Sequence, residues 1–229
     1  VPGRPRLGEG GEGEIVYGKR PVSEAKRGRR RVRNIWTAAE LGQAELNRLA
    51  GSRDHQGIVA EVDPYPYVEA DGLLESESAL VVALDQIQDP RNLGAVCRSA
   101  EAAGAAGVVI PDRRAATITA AACKASAGAV EHLPVAKVRN LADWLRDAKD
   151  ASAWVYGAEG SAPSPYTQAD FAGRVVLVVG GEGRGLRPRV ADSCDLLVSV
   201  PMRGSVSSLN VSAAAAVLLF EAVRQRGHL

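Results

Sequence analysis

The chain has 229 residues, of which 46% are hydrophobic and only 4% aromatic. That suits one medium domain plus a small accessory one, with cores built from Ala, Val and Leu. Cys97, Cys123 and Cys194 lie far apart, with no CxxC and no His at ligand spacing, so neither a zinc site nor a disulfide framework is expected, and a reducing cytoplasm is.

Residues 1–13 are Gly, Pro and charge and are expected to be a disordered tail. The N-terminus has no apolar core of the kind a secretory leader needs, and the absence of an initial Met is expected of a processed or incomplete N-terminus. IVYG at 15–18 reads as a short strand, and PVSEAKRG as a helix start with Pro21 in its first turn. A net charge of +1 says nothing by itself about a polyanionic partner, but its distribution does. Lys19, Arg20, Lys26, Arg27, Arg29, Arg30, Arg31 and Arg33 crowd residues 19–33 against one acid, Glu24. Such a cluster neutralises phosphates or is simply a solvated basic face; the first reading makes Lys19, Arg20, Lys26, Arg27, Arg29 and Arg30 candidate RNA contacts. Residues 37–50 have helical periodicity, with Thr37 and Glu40 as a capping box. GIVAEV is a strand, which closes a small unit over 14–68, and 69–78 read as a linker.

A second unit spans 79–229. ALVVALD is a continuous apolar run ending in an acid, the pattern of a buried parallel strand. PRNLGAVCRSAEAAG follows as a helix opened by Pro90 and closed by Gly104. GVVIP is a strand, and TAAACKASAGAVEHLPV a helix and then a strand. LADWLRDA is an amphipathic helix. AWVYGAE, RVVLVVGGEG and DLLVSVPM are strands, and SSLNVSAAAAVLLFEAVRQR is the last helix. Its apolar run, 211–223, is too short to span a bilayer and contains Glu221. Strands alternating with helices predict an α/β fold with a mainly parallel sheet.

Ligands of open α/β sheets gather at the carboxyl ends of the strands, and three ends here carry unusual residues. Asn92 and Arg98 flank an otherwise apolar helix start, as a ligand fork or as a cap and a surface charge. Gly180, Gly181, Gly183 and Gly185 follow a buried strand directly and let backbone approach a ligand. Their spacing is not that of a dinucleotide fold, and Glu182 among them disfavours a pyrophosphate. Ser207, Ser208 and Asn210 exceed what one helix cap requires.

Together DPRNLGAVCRSAEAAG, VVGGEGRGL and PMRGSVSSLNVSAAAA resemble, in order and spacing, the three motifs of the SpoU (TrmH-like) RNA ribose methyltransferases of the SPOUT superfamily. CKASAGAVEHLPV is similar to the family's middle region. IVYGKRPVSEA and HQGIVAEV resemble the opening and closing phrases of the small RNA-binding domain of the RlmB-like subgroup, which methylates a guanosine of large-subunit rRNA. Those phrases begin 40 residues apart, at Ile15 and His55, which makes this small α/β domain a shortened one.

The resemblance implies S-adenosylmethionine as methyl donor, a ribose 2'-OH in 23S rRNA as acceptor, a trefoil knot where the second and third motifs thread, and a cytoplasmic homodimer. It places Gly180, Val200 and Leu209 around the cofactor with Gly181, Met202 and Ser208 nearby, and Asn92, Arg98, Glu182 and Asn210 at the reacting end. A guanidinium keeps its proton at neutral pH, so Arg98 is expected to orient the ribose-phosphate and stabilise developing oxyanion charge; the proton acceptor stays open. His55 and His132 are expected to be structural or exposed. Two other readings stand beside this one. A dinucleotide oxidoreductase requires GxGxxG after the first strand, where DPRNLG stands instead. A noncatalytic RNA-binding factor would bind the cofactor without transferring methyl, and a tRNA acceptor remains the alternative substrate.

Overall fold

The structure, a computed structural model, describes residues 13–181 and 185–227. The sequence-predicted tail therefore lies almost wholly outside the described residues.

The N-terminal part is a three-stranded antiparallel sheet. Strand β1 (Glu14–Tyr17), helix α1 (Lys19–Ala25), β2 (Val32–Thr37), α2 (Ala38–Leu41), α3 (Gln43–Ala50) and β3 (Ile58–Val62) follow in order, and the sheet runs β1-β3-β2. The capping box forms as expected, with Glu40 accepting from the Thr37 N–H at 2.8 Å. The single helix expected over 37–50 is two, because Gly42 at φ 78° turns the chain between them. Strand β2 was hidden by the arginines of the basic cluster, which mask its apolar residues.

Past β3 the chain does not run free. The Tyr65 hydroxyl donates to the carbonyl of Leu133 at 2.8 Å, Val68 bridges to Ala136, and Leu73 and Leu74 are buried in a 3-10 turn. The segment expected as a linker is thus packed against the second sheet.

That second sheet has seven parallel strands. In chain order they are β4 (Leu80–Asp85), β5 (Gly107–Pro111), β6 (Val135–Val138), β7 (Trp154–Ala158), β8 (Ser164–Pro165), β9 (Val175–Gly180) and β10 (Leu196–Ser199). Across the sheet they run β6-β5-β4-β9-β7-β10-β8. Successive side chains point to opposite faces, and both faces are covered. Leu80, Val82 and Leu84 of β4 and Val175, Leu177 and Val179 of β9 face α4 (Pro90–Ala102) and α8 (Val211–Gln225). Val81, Ala83, Val176 and Val178 face α6 (Leu141–Asp150) and the short α7 (Pro188–Ala191).

Helix α4 starts as its sequence demands. Asp89 accepts from the Arg91 N–H at 2.8 Å, and Pro90 takes the first turn, where no N–H is needed. It packs so closely on α5 (Ala120–Ala125) that a Cβ on Gly94 would lie 2.4 Å from the Ala122 carbonyl oxygen. Among the described residues no helix is long and apolar enough to cross a membrane.

Candidate active site

The carboxyl ends of β7, β9 and β10 border a cavity of about 540 Å³. Val179, Gly180 and Gly181 form one wall, and Val198, Val200 and Met202 a second. Ser207, Ser208, Leu209 and Val211 complete it where the chain enters α8. All six residues expected around a cofactor therefore converge: Gly180, Gly181, Val200, Met202, Ser208 and Leu209.

The glycines have a physical cause. The chain doubles back after β9, so that Gly181 bridges to Gly185 and the Gly185 N–H donates to the Gly181 carbonyl at 3.1 Å. A Cβ on Gly180 would sit 2.2 Å from the Gly185 carbonyl oxygen. The loop is anchored from below by Asp85, fully buried at the end of β4. It accepts from the Arg187 N–H at 2.8 Å and from the Arg187 guanidinium at 2.7 Å. Gln86, next in the chain, is held at φ 59°, and its carbonyl oxygen lies 3.0 Å from where a Gly181 Cβ would be. Such backbone in a side-chain-bearing residue costs about 1–3 kcal/mol and clusters at functional loops.

Asn210 joins two of the motifs. Its Oδ1 caps α8 by accepting from the Ser212 N–H at 2.9 Å and the Ser212 hydroxyl at 2.6 Å. Its Nδ2 donates to Asn92 Oδ1 at 3.1 Å, across 118 positions of sequence. The Ser-rich helix entrance is thus both a cap and a bridge to α4. Arg98 stands exposed on α4, with Asn92 in the first turn of the same helix. Glu182 lies outside the described residues.

Sequence reasoning missed the end of β7. Ala158, Glu159, Gly160 and Ser161 line the same cavity, and Glu159 brings a carboxylate so close that a Cβ on Gly185 would lie 2.7 Å from its Oε2. The signal was present, since AWVYGAE is a strand ending in an acid, like ALVVALD. What hid it was that β7 becomes β9's neighbour only in the folded sheet.

One member of the basic cluster departs from its sequence reading. Arg30 is 4% exposed, donates to Glu131 and to Glu14 (2.8 Å for the latter), and lies 3.3 Å from the Cys123 sulfur. Burial opposes its charge most strongly, but the hydrogen bonds to Glu131 and the charge and hydrogen-bond contributions of Glu131 and Cys123 together offset this, and its pKa is raised. Such a residue presents no charge to a ligand, and its expected role as an RNA contact is withdrawn. Arg29 donates to the Leu133 carbonyl at 2.7 Å and to Tyr65. Arg27 pairs with Glu24, and Arg33 with Asp63. Lys19, Arg20, Lys26, Arg27 and Arg29 are exposed. His55 is buried between Asn47 and the Gly57 N–H, and His132 meets Glu24 at 2.9 Å, so both are structural as expected.

The SpoU rRNA Methylase family matches residues 79–220. An uncharacterised tRNA/rRNA methyltransferase of Mycolicibacterium vanbaalenii is 43% identical over 241 residues, covering 93% of this chain and 77% of that protein. The SpoU methyltransferase AviRb from Streptomyces viridochromogenes, crystallised with AdoMet, is similar at TM-score 0.78 and 29% identity, over 93% of this chain and 90% of that one. An AdoMet-bound rRNA methyltransferase from Sinorhizobium meliloti has TM-score 0.80 and 25% identity, over 93% and 87%. The chain belongs to the SpoU rRNA methylase family of RNA methyltransferases.

Proposed function

We propose that the protein transfers a methyl group from S-adenosylmethionine to the ribose 2'-OH of a specific nucleotide, a guanosine in large-subunit (23S) rRNA. The observation that carries this is the single cavity in which the ends of β7, β9 and β10 meet the entrance of α8, with Asn210 set between the lining residues Leu209 and Val211 and bonded to Asn92.

The cavity fits the cofactor. Its volume lies within the range of about 300–1,000 Å³ usual for such sites. Val179, Val200, Leu209 and Val211 offer apolar walls to a flat base. Gly180 and Gly181 leave backbone bare, and Glu159 would offer a carboxylate to the hydroxyl-bearing or cationic parts. When bound, S-adenosylmethionine supplies a methyl group already activated on a sulfonium.

The chain's own task is alignment and charge. Arg98 offers a planar fork to the ribose-phosphate and stabilises negative charge developing on the 2'-oxygen. Asn92 and Asn210, locked amide to amide, hold the nucleotide's position, because each fixes the other's rotamer. Glu182 acts with them in this reading by holding Arg98 or Asn92. Lys19, Arg20, Lys26, Arg27 and Arg29, exposed on the small domain, contact RNA backbone.

The reading also includes a homodimer and a trefoil threading of the segments around β9 and α8. Exposed Leu209 at the cavity, Val206 just before it in the chain, and Phe220 on α8 support a partner face. Sedimentation equilibrium tests the dimer, and a monomer at micromolar concentration would overturn it. For the reaction, methyl transfer to unmodified 23S rRNA and to tRNA should be measured side by side, with 2'-O-methyl marks mapped in a deletion strain. One lost rRNA mark is expected. A lost tRNA mark with unchanged rRNA reverses the substrate, and cofactor binding without transfer to any RNA makes the protein a noncatalytic factor.

A further inference from the structure

A second cavity, about 920 Å³, opens at the carboxyl ends of β5 and β6, on the α6 face of the sheet. Five arginines line it: Arg113 and Arg114 after β5, Arg139 after β6, and Arg187 and Arg189 at the entrance to α7. The one acid in its lining is Asp143, 3.8 Å from Arg189. Arg187 is held by Asp85. Among the described residues no hydrogen bond or ion pair engages Arg113, Arg114 or Arg139, and all three are exposed. In a chain of net charge +1, this is a strong local excess of positive charge. Arg114 is held at φ 57°, a conformation that persists only where the surrounding structure imposes it.

The chemistry of the lining narrows the ligand. Guanidinium forks match phosphate oxygens two at a time and are weakly hydrated, so they give up water readily. The lining has no aromatic side chain on which a base would stack. Arginines spread over three separate loops suit a chain of phosphates better than one small anion. The groove is also joined to the active site. The Asp85–Arg187 bonds that steady its floor anchor the same loop whose Gly180, Gly181 and Gly185 line the first cavity.

We propose that this groove is an RNA contact on the methyltransferase domain itself, where Arg113, Arg114, Arg139, Arg187 and Arg189 hold backbone phosphates of the substrate strand without reading its bases. It rests on the RNA substrate of the proposed function and adds a second anchor to the one on the small domain. A strand seated there is fixed relative to the loop that shapes the cofactor cavity, independently of how the small domain grips it.

The test is filter binding of unmodified 23S rRNA transcript and of poly(U) to the unaltered protein and to the triple variant Arg113→Ala, Arg114→Ala, Arg139→Ala, over a range of salt. Both RNAs should bind roughly tenfold or more weakly near 0.15 M salt, and the slope of log K against log salt should fall by about 2. The corresponding triple Lys variant should recover most of the binding. S-Adenosylmethionine affinity of the Ala variant, measured by calorimetry, should be unchanged. RNA affinity and slope unaltered by the Ala triple overturn the proposal. So does a Lys triple as weak as the Ala triple, which would show that charge is not what matters, or a loss confined to 23S rRNA with poly(U) spared, which would mean base reading. If the unaltered protein transfers methyl to no RNA, the proposed function fails; unaltered slopes in an active enzyme sink the groove alone.

Discussion

Arg98 is exposed on α4 and needs no partner to hold the fold. Arg98→Ala should therefore leave S-adenosylmethionine binding intact by calorimetry and lower methyl transfer by about 10²–10³-fold, the usual effect of losing one oxyanion donor. Normal turnover in that variant would sink the assignment. Gly180 is constrained the other way, by space. In Gly180→Ala the new Cβ meets the Gly185 carbonyl at 2.2 Å, backbone that cannot step aside cheaply. A loss of about 1–3 kcal/mol in a denaturant melt and weaker cofactor binding are expected together. The thiols are silent at neutral pH, since burial pushes Cys97 up to about 12 and Cys123 up to about 11. Iodoacetamide at pH 8 should label them only in unfolding conditions. At this scale the sequence was a good guide where a residue's type is dictated by its own backbone or by the ligand, as for the glycines and Asn210. It misled at Arg30, because nothing local reveals that Glu131, 101 positions away, waits for that guanidinium.

Helix α8 shows how one element serves two purposes. Asn210→Ala removes its cap, worth about 1 kcal/mol, and also a link between the first and third motifs, the bond to Asn92. A variant that loses much more activity than stability is expected, whereas Asn210→Asp, which keeps the cap oxygen but not the amide donor, should restore stability and not activity. Activity tracking stability alone in both would reduce Asn210 to a cap. Most strand and helix types over 79–229 were legible, because buried parallel strands are continuous apolar runs and α4, α6 and α8 start at recognisable caps; the two-residue β8 and the four-residue α7 were not. Strand β2 was not, since its residues are mostly half-buried, Arg33 sits among them and the arginine run 29–31 directly precedes them. Nor was the break at Gly42, since glycine inside a helical pattern only lowers propensity until tertiary packing asks for a turn.

Across the whole molecule the two sheets share one core. Val16, Ala60 and Val62 of the small sheet and Val22 of α1 pack in the same cluster as β4, α4 and α8. The buried Arg30–Glu131 pair, with Tyr65 beside it, pins them together. Glu131→Gln leaves that guanidinium buried without its main counter-charge, and a loss of about 3–5 kcal/mol in urea unfolding is expected. An unchanged melt would mean that Glu14 alone suffices. The alternation of strands and helices, the three motifs in order and the donor-bearing residues at the strand ends were decided by the sequence itself. Each depends on short-range periodicity, on caps or on residue chemistry that acts within a few positions. What only the tertiary structure decided was adjacency: Glu159 beside the glycine loop, Asn210 on Asn92, Arg30 turned inward, and the arginines after β5, β6 and β9 gathered into one groove. These are meetings between residues from about 25 to more than 100 positions apart, set by strand order and by the packing of both faces of the sheet, and no local pattern encodes them.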